Sequence, residues 1–175
     1  MKKCKLYLFI IIFISIFSYK NIYAYDVNNY KNRNLCDKYE VAGFHTDGVI
    51  DTVGCYKDYE TAKSEMKKNG ANDLALMTKV NGKTKIIDAN MALLDLTVNP
   101  NNLTYYYENS ELTSRQYTYM YNGSLYGGVD GAILDSAYSN SKSKWVAKVR
   151  ISGFTGWIPQ EAYEVVPITW INSTS

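Results

Sequence analysis

The stretch Trp145-Val146-Ala147-Lys148-Val149-Arg150-Ile151-Ser152-Gly153-Phe154-Thr155-Gly156-Trp157-Ile158 reads as a β-hairpin. Trp145, Ala147, Val149 and Ile151 alternate with Val146, Lys148, Arg150 and Ser152, the period of a half-buried strand. Ser152 to Gly156 form the turn and Trp157-Ile158 start the return strand. Gly156 is expected to permit the tight turn, and Trp157 to supply a large anchor for the core. Pro159 to Tyr163 are a short connection into a last strand at Glu164–Ile168. Upstream, Leu103–Tyr107, Tyr117–Tyr121 and Ala132–Tyr138 read as strands, separated by Asn122-Gly123-Ser124, Gly127-Gly128 and the polar run 139–143. Everything from residue 103 to 168 is β.

The preceding segment has a different rhythm. Lys38–Phe44 and Val49–Cys55 read as two strands around the Asp47-Gly48 turn. Asp58 is a helix N-cap, and Tyr59, Ala62 and Met66 share one helical face. Lys67 and Lys68 suit the last turn, and Gly70 closes it. Leu74–Val80 and Lys83–Ile87 form a hairpin over Asn81-Gly82. Asp88–Leu94 fits either a short helix or a strand. The unit is ββαββ and too small to hold much core alone, so it is expected to lean on its neighbour. Val98–Asn102 is turn-rich and marks a boundary. Residues 25–37 lack any apolar period and read as a linker.

The N-terminus is basic, then apolar from Leu6 to Phe17, then polar, with Ala24 as a small residue for cleavage. This is the pattern of a signal peptide over residues 1–24, and the apolar run is short for a membrane span. An uncleaved anchor is the alternative. The formal charge of the whole chain is +2, but Lys2, Lys3, Lys5 and Lys20 belong to that leader. Without them 15 basic residues face 17 acidic ones, so no basic nucleic-acid footprint remains. Tyrosine is abundant, 17 in all, and eight fall between Tyr105 and Tyr138. The aromatic excess is local.

The ending of the chain resembles bacterial Src-homology-3-like cell-wall domains, whose recurrent close is a strand, a Gly turn, Gly-Trp-Ile/Val, a short helical turn and a final strand. The wider pattern, Tyr117–Gly127, Asp130-Gly131-Ala132 and Ser152–Ile158, resembles the N-terminal region of clostridial and bacillar secreted glucosaminidases. In those Gram-positive peptidoglycan hydrolases a small α/β segment precedes the barrel and a catalytic domain follows. The resemblance covers roughly residues 38 to 168, and Ser175 comes too soon for the catalytic domain. It implies an α+β chain: a small α/β domain at 38–97, an SH3-like β-barrel at 103–168 and a tail at 169–175. It also implies a secreted or cell-wall-associated protein that binds peptidoglycan or a related envelope polymer without being an enzyme. The truncated N-terminal part of such a hydrolase and an extracellular peptide-binding adaptor, with a secreted hydrolase as a further partner, are the alternatives.

Candidate residues follow from this. Tyr105, Tyr107, Tyr117, Tyr119, Tyr121, Tyr126 and Trp145 could line an aromatic groove, since rings stack on the CH faces of sugars and Tyr hydroxyls bond their polar groups. Filling a barrel core is their other use, and Tyr119 and Tyr126 are the ones expected at the surface. Cys36 and Cys55 could pair in an exported chain or stay as independent thiols. His45 sits in a turn with no motif around it, so no metal or cofactor is expected. A glycosidase needs two spaced carboxylates, and the sequence gives no warrant for pairing Glu108 with Glu111.

Overall fold

The hairpin at residues 144–159 sits at the centre of a large antiparallel sheet in the computed structural model of the protein. The structure describes residues 28–45, 49–90, 94–98, 104–119, 129–151 and 153–167. Residues 1–24 and 169–175, Tyr121 and Tyr126 lie outside them. Strands β1 (Tyr39–Phe44), β2 (Ile50–Tyr56), β3 (Leu74–Val80) and β4 (Lys83–Ala89) form a sheet of order β2-β1-β3-β4. Strands β5 (Leu94–Val98), β6 (Tyr105–Tyr107), β7 (Arg115–Tyr119), β8 (Val129–Ser139), β9 (Lys144–Ile151), β10 (Phe154–Pro159) and β11 (Tyr163–Pro167) form a second, of order β11-β5-β8-β9-β10-β6-β7. A 3-10 turn, Gln160–Ala162, links β10 to β11.

Every pairing is antiparallel. The fold is therefore mostly β with an α+β character. Among the described residues no pairing joins β7 to β11, so the second sheet is open and no closed barrel forms. β5 also differs from expectation. It precedes the turn-rich Val98–Asn102 segment yet pairs with β8 and β11, so Ala89 ends a strand of the smaller sheet and Leu94 begins one of the larger.

Helix α1 (Asn28–Lys31) is one turn, and helix α2 (Tyr59–Asn69) is the long one. Its ends are where the sequence puts them. Asp58 Oδ2 accepts the Thr61 backbone N–H at 2.8 Å, which holds its carboxyl below the ordinary range. Gly70 adopts φ 72°, the left-handed cap that glycine takes without penalty.

Alternation then builds three layers. Tyr39, Val41, Leu74 and Leu76 face α2, meeting Ala62 and Met66. Ala42, Phe44, Ala75 and Met77 point the other way, into one cluster with Ile133, Ala147, Val149, Ile151, Ile158, Tyr163 and Val165 of the larger sheet. The two sheets thus share a single apolar interior, packed face to face as in a sandwich.

Two expectations about packing need correction. Residues 28–37 are no linker in the described structure: Tyr30 is 1% exposed, stands edge-on to Phe44 with ring centroids 6.2 Å apart, and donates its hydroxyl to the Val165 carbonyl at 2.8 Å. One large apolar anchor docks a segment without leaving a period to find. Trp157 is likewise not a core residue. Ile158 enters the shared interior, so its neighbour Trp157 is turned by the strand period to the outer face, half-buried. Gly156 serves close approach and not the turn, because a Cβ there would lie 2.7 Å from Tyr106 Cβ. The turn glycine is Gly153, at φ 84°.

An ion-pair bridge spans the two sheets. Lys85 Nζ lies 2.5 Å from Glu164 Oε1, and Lys31 Nζ lies 3.2 Å from Oε2. Burial pushes the Glu164 carboxyl up, but its bonds to Lys85 and Lys31 outweigh that and hold it below the ordinary 4.5. A carboxyl depressed in the folded state adds stability above its unfolded value, and that stability disappears as pH falls through the folded value. Thermal melts should therefore show a midpoint that declines below about pH 4.5. In Glu164→Gln the neutral-pH midpoint should be lower and this part of the acid decline absent.

Candidate functional site

The outer face of the larger sheet gathers its polar and aromatic residues into a transverse row. Residues opposite one another in antiparallel strands share a face. Arg115 on β7 pairs with Tyr107 on β6, Tyr107 with Trp157 on β10, Trp157 with Lys148 on β9, and Lys148 with Asp135 on β8. Tyr105 lies two residues from Tyr107 on the same face, with the Arg115 guanidinium carbon 4.3 Å from its ring centroid, a cation–π contact. Arg150 lies two residues from Lys148 and pairs with Thr155. Tyr105, Tyr107, Trp157 and Lys148 are half-buried, while Arg115 and Arg150 are exposed. Apolar rings flanked by charged and hydroxyl groups suit a ligand with both CH faces and polar substituents.

The reason for this arrangement is local. In β9 the apolar residues Ala147, Val149 and Ile151 are committed to the interior, so Lys148 and Arg150 must face outward. In β6 only Tyr106 turns inward, 3% exposed, leaving Tyr105 and Tyr107 on the outer side. Asp135, at the end of the row, is engaged elsewhere. Its Oδ1 lies 2.5 Å from Lys63 Nζ of α2. Burial would lower the Lys63 ammonium, but the hydrogen bond to Asp135 and the neighbouring Tyr59 outweigh it, and its pKa is pushed up to about 12.

The sequence-derived residues thus divide. Tyr105 and Tyr107 are on this face. The backbone of Tyr119 is in register with Tyr105 on β7, and Tyr117 is on the same strand; their side chains lie outside the described structure. Tyr121 and Tyr126 also lie outside it. Trp145 is elsewhere, 9% exposed, in a knot of rings with Tyr59 at 4.8 Å, Tyr138 at 5.4 Å and Tyr39 at 6.0 Å between centroids. There it joins α2 to the β8–β9 hairpin, helped by the Tyr59 hydroxyl 2.5 Å from the Ser136 carbonyl. Arg115, Lys148 and Arg150 were not among the candidates, and Trp157 was assigned to the core. The alternation of Lys148 and Arg150 with core positions was the signal that could have found them.

The remaining polar groups are structural in their contacts. Glu108 accepts from Ser114 Oγ at 2.5 Å, and Glu111 accepts from the Ser141 backbone N–H at 2.9 Å and Ser139 Oγ at 3.1 Å, tying the 108–114 loop to the β8–β9 turn. His45 Nε2 sits 3.0 Å from Asp51 Oδ2 in an exposed pair. Among the described residues no group of three or more His, Cys, Asp or Glu is placed to hold a metal ion.

Cys36 and Cys55 form a disulfide with Cα atoms 5.7 Å apart, joining the N-terminal segment to β2. It closes a loop of sequence separation 19. By chain entropy such a link contributes about 3 kcal/mol. Urea unfolding of the Cys36→Ser, Cys55→Ser variant should show a loss of that size, matched by the reduced wild type.

Searches against protein-family models, curated proteins and solved structures find no match to this chain.

Proposed function

We propose that this chain is an exported, non-catalytic module that binds peptidoglycan or a related envelope polymer of a Gram-positive wall through the outer face of its larger sheet. The observation that carries the reading is the row Arg115–Tyr107–Trp157–Lys148 with Tyr105 beside it. Rings provide platforms for sugar CH faces, and the flanking cations and hydroxyls provide the polar contacts that orient a glycan. The basic, apolar, then small-residue leader is the basis for export. The Cys36–Cys55 bond is consistent with an oxidising, extracytoplasmic setting.

An SH3-like arrangement of residues 103–168 is part of this proposal. It draws support from β9 and β10 as a hairpin, the 3-10 turn Gln160–Ala162, and β11 after it, the order that the Gly-Trp-Ile ending resembles. The acidic residues are assigned no catalytic role, since Glu108 and Glu111 are occupied in building a loop. Co-sedimentation with purified Gram-positive sacculi tests the reading. The protein is expected in the pellet, in a saturable manner; protein left wholly in the supernatant would refute it.

A further inference from the structure

We infer that the ligand of the outer face is a polyanion, a phosphodiester-linked polyol or sugar polymer of the wall, and not the neutral glycan alone. This rests on the function proposed above and narrows it. The formal charge offers no hint, because the chain without its leader is mildly acidic. The distribution of charge does.

Several basic side chains in the fold are tied to carboxylates, while others, such as Lys79 on the Arg33 carbonyl, are not. Arg33 is bonded to Glu40, Lys63 to Asp135, Lys67 to Asp88, Lys85 and Lys31 to Glu164, and Lys144 to Glu161. On the outer face three cations come together in one neighbourhood. Among the described residues no carboxylate pairs with Arg115, Lys148 or Arg150, and the one acidic residue in their row, Asp135, is held by Lys63. Three neighbouring cations without counter-charges raise the local potential and attract a polyanion whatever the net charge.

Their spacing describes the ligand further. Lys148 and Arg150 are two residues apart on one strand, roughly 7 Å. Arg115 is three strands across the sheet from them, roughly 14 Å. Tyr107 and Trp157 occupy the strands between. A linear polymer that alternates anionic groups with CH-rich spacers matches that order of charges and rings. Phosphate suits the guanidinium groups of Arg115 and Arg150, whose planar forks can donate two parallel hydrogen bonds to its oxygens. Single-stranded nucleic acid shares the alternation of phosphates and flat faces. Export to a wall favours the glycopolymer, and the oligonucleotide becomes an arm of the test.

The experiment is co-sedimentation with sacculi before and after hydrofluoric acid removes their phosphodiester-linked polymers, with the purified protein and its Lys148→Ala/Arg150→Ala variant. The expected results are that stripping removes most of the binding, that added salt weakens it, and that the variant binds native sacculi about 10-fold less tightly. Circular dichroism establishes that the variant, altered at two outward-facing side chains, is folded. Undiminished binding to stripped sacculi, unaffected by the variant, would overturn this inference and leave the proposed function standing. No binding to either preparation would overturn both. Binding to a single-stranded oligonucleotide as tight as to native sacculi would overturn the choice of polymer.

Discussion

Tyr163→Ala is expected to lower the unfolding free energy by about 3–5 kcal/mol, while Tyr163→Phe leaves it unchanged or raises it. Tyr163 is 0% exposed and packs in the interior shared by the two sheets. Truncating a side chain of that size removes its transfer free energy and leaves a cavity bounded by both sheets. The hydroxyl is a separate matter. Among the described residues Tyr163 Oη has no hydrogen-bond partner, and burial pushes its pKa far up, so it stays a neutral, desolvated hydroxyl. A buried polar atom without a partner is a cost that phenylalanine removes while keeping the ring. Denaturant titrations with unchanged slope check both values. A loss for Tyr163→Phe as large as for Tyr163→Ala would mean that the hydroxyl has an essential partner.

The second large effect concerns Arg33. Glu40 is 1% exposed, and its carboxylate accepts from Arg33 Nε at 2.9 Å, Thr52 Oγ1 at 2.9 Å and the Cys36 backbone N–H at 3.3 Å. Arg33 Nη2 lies 2.9 Å from Thr52 Oγ1 and from the same carboxylate. Arg33→Ala leaves a buried negative charge without its cation, and losses of about 3–5 kcal/mol follow from such a change. Adding Glu40→Gln removes the charge as well, so the double variant should recover much of the loss. Additive losses in the double variant would show that Arg33 acts through packing and not through the charge. Thr84 Oγ1 and Lys79 Nζ both donate to the Arg33 carbonyl, at 2.7 and 2.8 Å, so the whole N-terminal segment depends on this point.

The contrast between local and non-local signals explains what could be read beforehand. Helix α2 was legible to the residue because its caps, Asp58 and Gly70, act within one turn. Strands β3, β4, β9 and β10 were legible from alternation and turn glycines. The inward role given to Trp157 failed because size suggested core, while the strand period had already given that place to Ile158. Tyr30 was missed since a lone anchor has no period, and its pocket is made by Phe44 and Val165, distant in sequence. The placement of Trp145 apart from the row was hidden for the same reason: Tyr39 and Tyr59, which receive it, come from the other sheet and from α2. The cations of the outer face were visible in the sequence, but whether a carboxylate among the described residues pairs with them was not, because pairing is decided by tertiary placement.

The most direct measurement is a binding isotherm on Gram-positive sacculi for the wild type and for Tyr107→Ala/Trp157→Ala, with melting curves to establish that both are folded. If the outer face holds the polymer, the variant loses at least about 10-fold in affinity, or about 1.4 kcal/mol, since it lacks two adjacent ring platforms. A folded variant with an isotherm identical to the wild type would contradict the assignment of this face.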